Sequence, residues 1–236
     1  FKNEFDEKIF RLKNVHPRWN GRTYAELDES DRFQLNDTVL RATVVQQLDP
    51  DDDSSIYHIF ERLNTGGINL NPMEIRKCVY FGNYFSHLED LNALKAWRMI
   101  LGQPVPDKRL RDVELVLRVI ALMYNVAVYE KPMKGFLNKY MAAQRHLSAE
   151  AFDNLIKRQR NDFEKVTNRI VQALGDKPFH LRGRLNYAVL DSIIATVHAH
   201  PDVKSENLKD AFSLLAKDED YVDWATRNTS DDKTLQ

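Results

Sequence analysis

The segment from Ile59 to Tyr80, IFERLNTGGINLNPMEIRKCVY, holds the residues best suited to chemistry in this chain. Asn64 carries a primary amide, which can donate two hydrogen bonds and accept others. Gly66 and Gly67 are two of only eight glycines, and without side chains they allow close backbone approach. Exposed N–H groups at such a corner, followed at once by a helix start, favour an anion such as phosphate. The same residues also suit a plain helix stop, because a glycine in the left-handed region is a common way to end a helix. The residues alone leave both readings open. Neither GxxxxGK[ST] nor GxGxxG occurs in the chain.

Two helices must position the corner. Ile56, Ile59, Phe60 and Leu63 fall at i, i+3, i+4 and i+7, which predicts one apolar face of a helix over Ser54–Leu63. Asp53 or Ser54 suits its cap. Asn64 follows Phe60 by four positions, so it extends the same face with a polar group. Phe60 is expected to anchor that helix in the core rather than stack on a base. Beyond the glycines, Asn71 suits an N-cap, Pro72 the first helical position, and Glu74 the far end of a capping box. Arg76 and Lys77 follow, as phosphate contacts or as solvated charges.

The rest of the chain sets limits. Acids and bases nearly balance, with a formal charge of −1, so the global basic footprint of a self-sufficient nucleic-acid binder is absent. Cys78 is the only cysteine, which excludes an internal disulfide framework and a multi-cysteine zinc site. His198 and His200 lack the i, i+4 spacing of helical metal ligands, and no metal site is expected. No apolar run approaches the ~20 residues of a membrane span. No signal peptide opens the chain, and a reducing cytoplasmic setting is the expectation.

Periodicity divides the chain unequally. A strand over Lys8–Leu12, a turn at Asn20-Gly21, a helix over Asp28–Asn36 and a β-branched strand over Val39–Leu48 predict a small α/β start. Helices then dominate: Pro72–Tyr80, Phe81–Leu91, Arg109–Tyr124, Met133–Gln144, Ala149–Ala173, Tyr187–His198 and Asn207–Ala216. The fold class expected is mainly α, with an α/β portion over 1–80 and a helical domain over 81–236. The helix at Arg109–Tyr124 is apolar on most sides and should be central. Arg111, Glu114 and Arg118 share one strip of it, and their spacing suggests an ion network that locks neighbouring helices or a basic rim facing a ligand.

The motif region resembles the second signature of the GmrSD-type restriction and anti-phage family, in which a ParB/sulfiredoxin-like NTPase domain precedes a helical region. That signature is Phe-x-x-x-Asn, usually followed by Gly-Gly, then by Leu, polar residues and Glu-x-Arg. Phe60, Asn64, Gly66 and Gly67 match it, and LNPMEIR continues the match through Glu74 and Arg76. GRTYAELDESDRFQLNDTVLRATVV resembles the segment ahead of the motif, and DKRLRDVELVLRVIALMY its central helix. The family's other signature, Asp-Gly-Gln-Gln-Arg, is absent from these 236 residues and would lie upstream of Phe1. The resemblance implies a fragment whose start is the remnant of a ParB-like domain. It implies a nucleotide site shared by Asn64, Gly66 and Gly67, supported by Phe60 and Arg76. The nucleotide would be GTP or another NTP, with a divalent cation, in the intact protein; none is evident for the fragment. DNA and a separate nuclease module or subunit are the implied partners, with no membrane. The fragment alone is expected to be inactive. The contrasting expectation is a non-catalytic helical module that binds DNA or a partner protein.

Overall fold

The computed structural model describes residues 4–5, 8–39, 59, 69–181 and 183–227. The chain forms two compact units, Phe1–Gln46 and Gln47–Gln236.

In the first unit, strand β1 (Glu4–Phe5) pairs antiparallel with β2 (Lys8–Ile9), with Glu4 opposite Ile9 and Phe5 opposite Lys8. Helix α1 (Glu29–Asn36) carries Glu29 and Asp31 in its first turn, where they complement the helix dipole. Trp19 donates its indole N–H to Asp31 at 2.9 Å and ties the preceding loop to α1. The strand expected over Lys8–Leu12 is therefore only two residues long. The strand expected over Val39–Leu48 lies outside the described residues from residue 40 onward. So does the helix expected over Ser54–Leu63, except Ile59.

The second unit is a helical assembly. Its elements are α2 (Pro72–Val79), α3 (Asn83–Asn92), α4 (Lys95–Leu101), α5 (Arg111–Asn125), α6 (Met133–Gln144) and α7 (Ala149–Leu174). There follow the hairpin of β3 (His180–Leu181) and β4 (Arg184–Leu185), then α8 (Tyr187–Ala199), α9 (Ser205–Leu215) and α10 (Glu219–Arg227). With α1, ten α-helices occur among the described residues, and the protein is mainly α. None of these helices is long and apolar enough to cross a membrane.

Helix α5 is the centre. Val113, Leu115, Val116, Leu117 and Val119 through Met123 are all buried, so nearly every side of the helix faces protein. It packs against α8, α3, α6 and α2. Helix α7 buries one stripe (Phe163, Val166, Thr167, Ile170 and Ala173), as an amphipathic helix must. Trp97 of α4 is fully buried, and its ring meets Phe163 at 5.3 Å. Met73, Ile75 and Val79 of α2 enter the same core. Residues 72–80 thus pack with the helical unit, and the division at Gln46 precedes the boundary expected at residue 80.

Three elements depart from expectation. Helix α4 has seven residues, too few to show helical periodicity, and stops at Gly102 with φ 63°. The β3–β4 hairpin has two-residue strands and turns through Gly183 at φ 80°, so the helical part is not free of strands. Helix α10 follows α9 closely with an acid-rich start.

Candidate functional site

Phe60, Asn64, Gly66 and Gly67 lie outside the described residues. The downstream flank of their corner is described from Asn69, and it is built as a clamp.

The Asn71 side-chain carbonyl accepts from the backbone N–H groups of Met73 and Glu74, each at 2.9 Å. Glu74 returns the bond by accepting from the Asn71 N–H at 2.7 Å. This is the capping box that the Asn-Pro-x-Glu order predicts, with Pro72 in the first turn. Arg109, just ahead of α5, closes the arrangement. Its guanidinium donates to both carboxylate oxygens of Glu74, at 3.1 and 2.7 Å, and to the Asn69 carbonyl at 2.6 Å. The Asn71 amide donates to the Arg109 carbonyl at 2.5 Å. Hydrogen bonding from Arg109 holds the Glu74 carboxyl below its usual range, and Glu74 raises Arg109 in turn. The planar fork of arginine suits two-oxygen recognition of a carboxylate.

Arg76 faces inward. It is only 1% exposed, a rare state for a guanidinium. Its Nε donates to the Asn138 side chain at 2.8 Å, Nη1 to Glu114 at 3.0 Å and Nη2 to the Lys134 carbonyl at 3.4 Å. Arg76 therefore ties α2 to α5 and α6, and its contribution to the corner is support of the helix that follows. Lys77 instead pairs with Glu89 at 3.3 Å and lies over the Phe85 ring.

The strip of Arg111, Glu114 and Arg118 resolves into three separate joints. Arg111 pairs with Asp107 at 2.7 Å, Glu114 with Arg76, and Arg118 with Asp191 of α8. Two of these lock neighbouring helices onto α5, while no pair forms along the strip itself. A fourth joint was not foreseen. Arg98 of α4 donates to Asp112 at 2.7 Å and to the Asn92 side chain at 2.8 Å, all three residues being buried. Burial pushes the Asp112 carboxyl up, but bonds from the Asp107 N–H, Asn92 and Arg98 outweigh it and hold the carboxyl below its usual range.

A cleft of about 720 Å³ opens between the start of α3, the end of α6 and the first half of α7. Tyr84 and Phe152 line it, their rings 6.4 Å apart and nearly perpendicular. His87 lines it too, at 7% exposure, and its Nε2 has no hydrogen-bond partner among the described residues. Beside it Tyr84 donates to the Gln159 carbonyl at 3.3 Å, and the Gln159 amide donates to the Tyr140 hydroxyl at 2.8 Å. Burial depresses the basicity of His87, with Gln159 and Asp90 opposing and Arg160 assisting. In sequence the histidines read only as scattered, because the described walls of this cleft come from two distant segments, residues 80–90 and 141–156. Among the described residues no group of three His, Cys, Asp or Glu side chains could hold a metal ion.

No family model matches the chain, and no curated protein or solved structure does.

Proposed function

We propose that the chain belongs to a GmrSD-like regulatory subunit that binds and hydrolyses NTP in a DNA restriction or phage-defence system, and that it contributes one half of the nucleotide site. The observation that carries this reading is the spacing Phe60-x-x-x-Asn64-x-Gly66-Gly67 running directly into Glu74-x-Arg76. Both charged residues of that flank are anchored: Glu74 by Arg109 and Arg76 by Glu114.

A corner that offers backbone N–H groups to phosphate works only from a fixed base. The Arg109 clamp supports the reading by fixing the chain at Asn69, two residues beyond Gly67. In this reading Asn64 contacts the nucleotide or the other signature, and Gly66 and Gly67 shape the backbone. Phe60 anchors the preceding helix. Arg76 supports the site from the core. The divalent cation is held with the nucleotide in the intact protein, DNA is reached through that protein, and cleavage belongs to a nuclease partner in the cytoplasm.

The test uses the intact protein, including whatever is encoded upstream of Phe1. An Asp-Gly-Gln-Gln-Arg run is expected there, and its absence sinks the reading. Asn64→Ala should lower NTP turnover by about tenfold or more, as loss of one aligned donor does. Unchanged turnover removes Asn64 from the site.

A further inference from the structure

The cleft between α3, α6 and α7 lies apart from the motif flank, and its chemistry differs. Its aromatic walls are Tyr80, Tyr84 and Phe152, and Phe81 stands at its mouth with 81% of its surface exposed. Two carboxylates, Asp90 and Asp153, line it and are exposed. Neither has an ion-pair partner among the described residues, whereas Lys77, Arg98 and Arg160 all do. One cation already uses an aromatic face here: the Arg145 guanidinium lies 5.8 Å from the centre of the Tyr80 ring. At the floor, His87 is more than nine-tenths buried with Nε2 unpartnered.

These features select a ligand class. The volume lies within the range of small-molecule sites. Among the described residues, two carboxylates against one guanidinium disfavour phosphates and carboxylic acids. Aromatic faces beside acids favour a cation, through the ring quadrupole and through charge. A neutral imidazole whose proton sits on Nδ1 presents Nε2 as an acceptor, and an ammonium supplies N–H donors and nothing else. A buried acceptor without a partner is a cost that such a donor removes. We propose that this cleft is a binding site for an organic ammonium ion, held by Asp90 and Asp153 at the rim, by the faces of Tyr84 and Phe152, and by an N–H donated to His87 Nε2. The proposal rests on the cleft alone and stands or falls separately from the nucleotide reading.

An ammonium group can arrive as a free polyamine or as a lysine side chain, and two probes distinguish these sources. The 236-residue chain is titrated with spermidine and with Nα-acetyl-lysine methylamide while the ¹⁵N resonances of the His87 ring are followed. The expected result is a saturable shift of Nε2 with at least one amine, from a starting shift typical of a bare acceptor nitrogen. Stronger binding of spermidine assigns a free polyamine, and stronger binding of the lysine derivative assigns a polypeptide side chain. Asp90→Asn with Asp153→Asn should weaken binding about tenfold, in line with the loss of two rim charges. Both residues are exposed, so the fold should persist. Phe152→Leu should weaken binding with the charges intact. No shift at about 10 mM amine, where even a millimolar site is filled, overturns the proposal. So does binding that the double variant leaves unchanged, or an equal response to inorganic phosphate.

Discussion

The helical unit buries two basic side chains in opposite ways. Arg76, between α2, α5 and α6, has donors on three nitrogens matched to Asn138, Glu114 and the Lys134 carbonyl. His87, in the cleft between α3, α6 and α7, keeps an unpartnered Nε2 at 7% exposure. The difference follows from proton affinity. A guanidinium stays charged in any protein, so burying it demands partners that satisfy the charge. An imidazole can shed its proton, and burial pushes His87 in that direction. The molecule can therefore leave a nitrogen of His87 open without burying a charge. Closed polar joints hold this fold, and the open nitrogen of His87 is the acceptor that the proposed ammonium ligand would use.

The largest effect should come from the joint with both partners buried. Asp112→Ala leaves the Arg98 guanidinium without its carboxylate in the core, and such losses cost about 3–5 kcal/mol. Urea unfolding would measure it. The acid dependence has a definite sign. The folded Asp112 pKa is lowered, so its contribution is fully present above the ordinary carboxylate value of 3.8 and is lost as pH falls through the lower folded value. Asp112→Asn should flatten that part of the stability profile. A loss below about 1 kcal/mol would place the joint among ordinary surface pairs.

Arg76→Ala comes next, at about 3 kcal/mol, because Glu114 keeps some solvent when its partner is removed. Arg76→Lys should recover little, since one ammonium cannot serve three acceptors in the geometry of a guanidinium. Full recovery would mean that charge alone matters at this joint.

This joint also shows what the sequence could and could not convey. Asn71, Pro72 and Glu74 were legible because a helix cap is decided within four residues. The bounds of α6 were legible too, since Met133, Phe136, Leu137, Tyr140 and Met141 keep helical apolar spacing directly after Pro132. The partners of Arg76 were not, because Glu114 and Asn138 lie 38 and 62 positions away. Arg111, Glu114 and Arg118 illustrate the limit. Their spacing correctly put them on one face of a central helix, but each takes a partner that only the tertiary packing supplies. The cleft was invisible for the same reason, its described walls being drawn from two stretches far apart in sequence, residues 80–90 and 141–156. The corner at Asn64, the sharpest feature of the sequence, lies outside the described residues.

His87→Phe turns the comparison around. At pH 7.5 this swap should change stability by no more than about 1.5 kcal/mol, because it removes an open polar atom from an aromatic setting. The pH dependence separates it from a neutral repacking. The folded His87 pKa is lowered from 6.5, so its neutral form favours the native state above that value, and stability is lost as pH falls below it. Gln159 and then Asp90 oppose this trend, and Arg160 reinforces it. Thermal unfolding of both proteins between pH 7.5 and 5 should show the wild type falling more steeply. Parallel profiles would mean that His87 titrates as a solvated histidine.

The smallest change in stability should come from Arg109. Its guanidinium lies at the surface, and exposed ion pairs add little even with two bonds to one carboxylate. Arg109→Ala should thus leave the melting temperature close to that of the wild type, and Glu74→Gln should do the same. The clamp differs from the other joints in what it holds: Asn69, two residues beyond Gly67. Its value would then appear in positioning. In the intact protein, Arg109→Ala should reduce NTP turnover while Arg111→Ala, which removes only the surface pair with Asp107, should not. A drop in turnover with an unchanged melting temperature separates a positioning residue from a stabilising one. Equal turnover in the two variants would leave the clamp as a helix cap and nothing more.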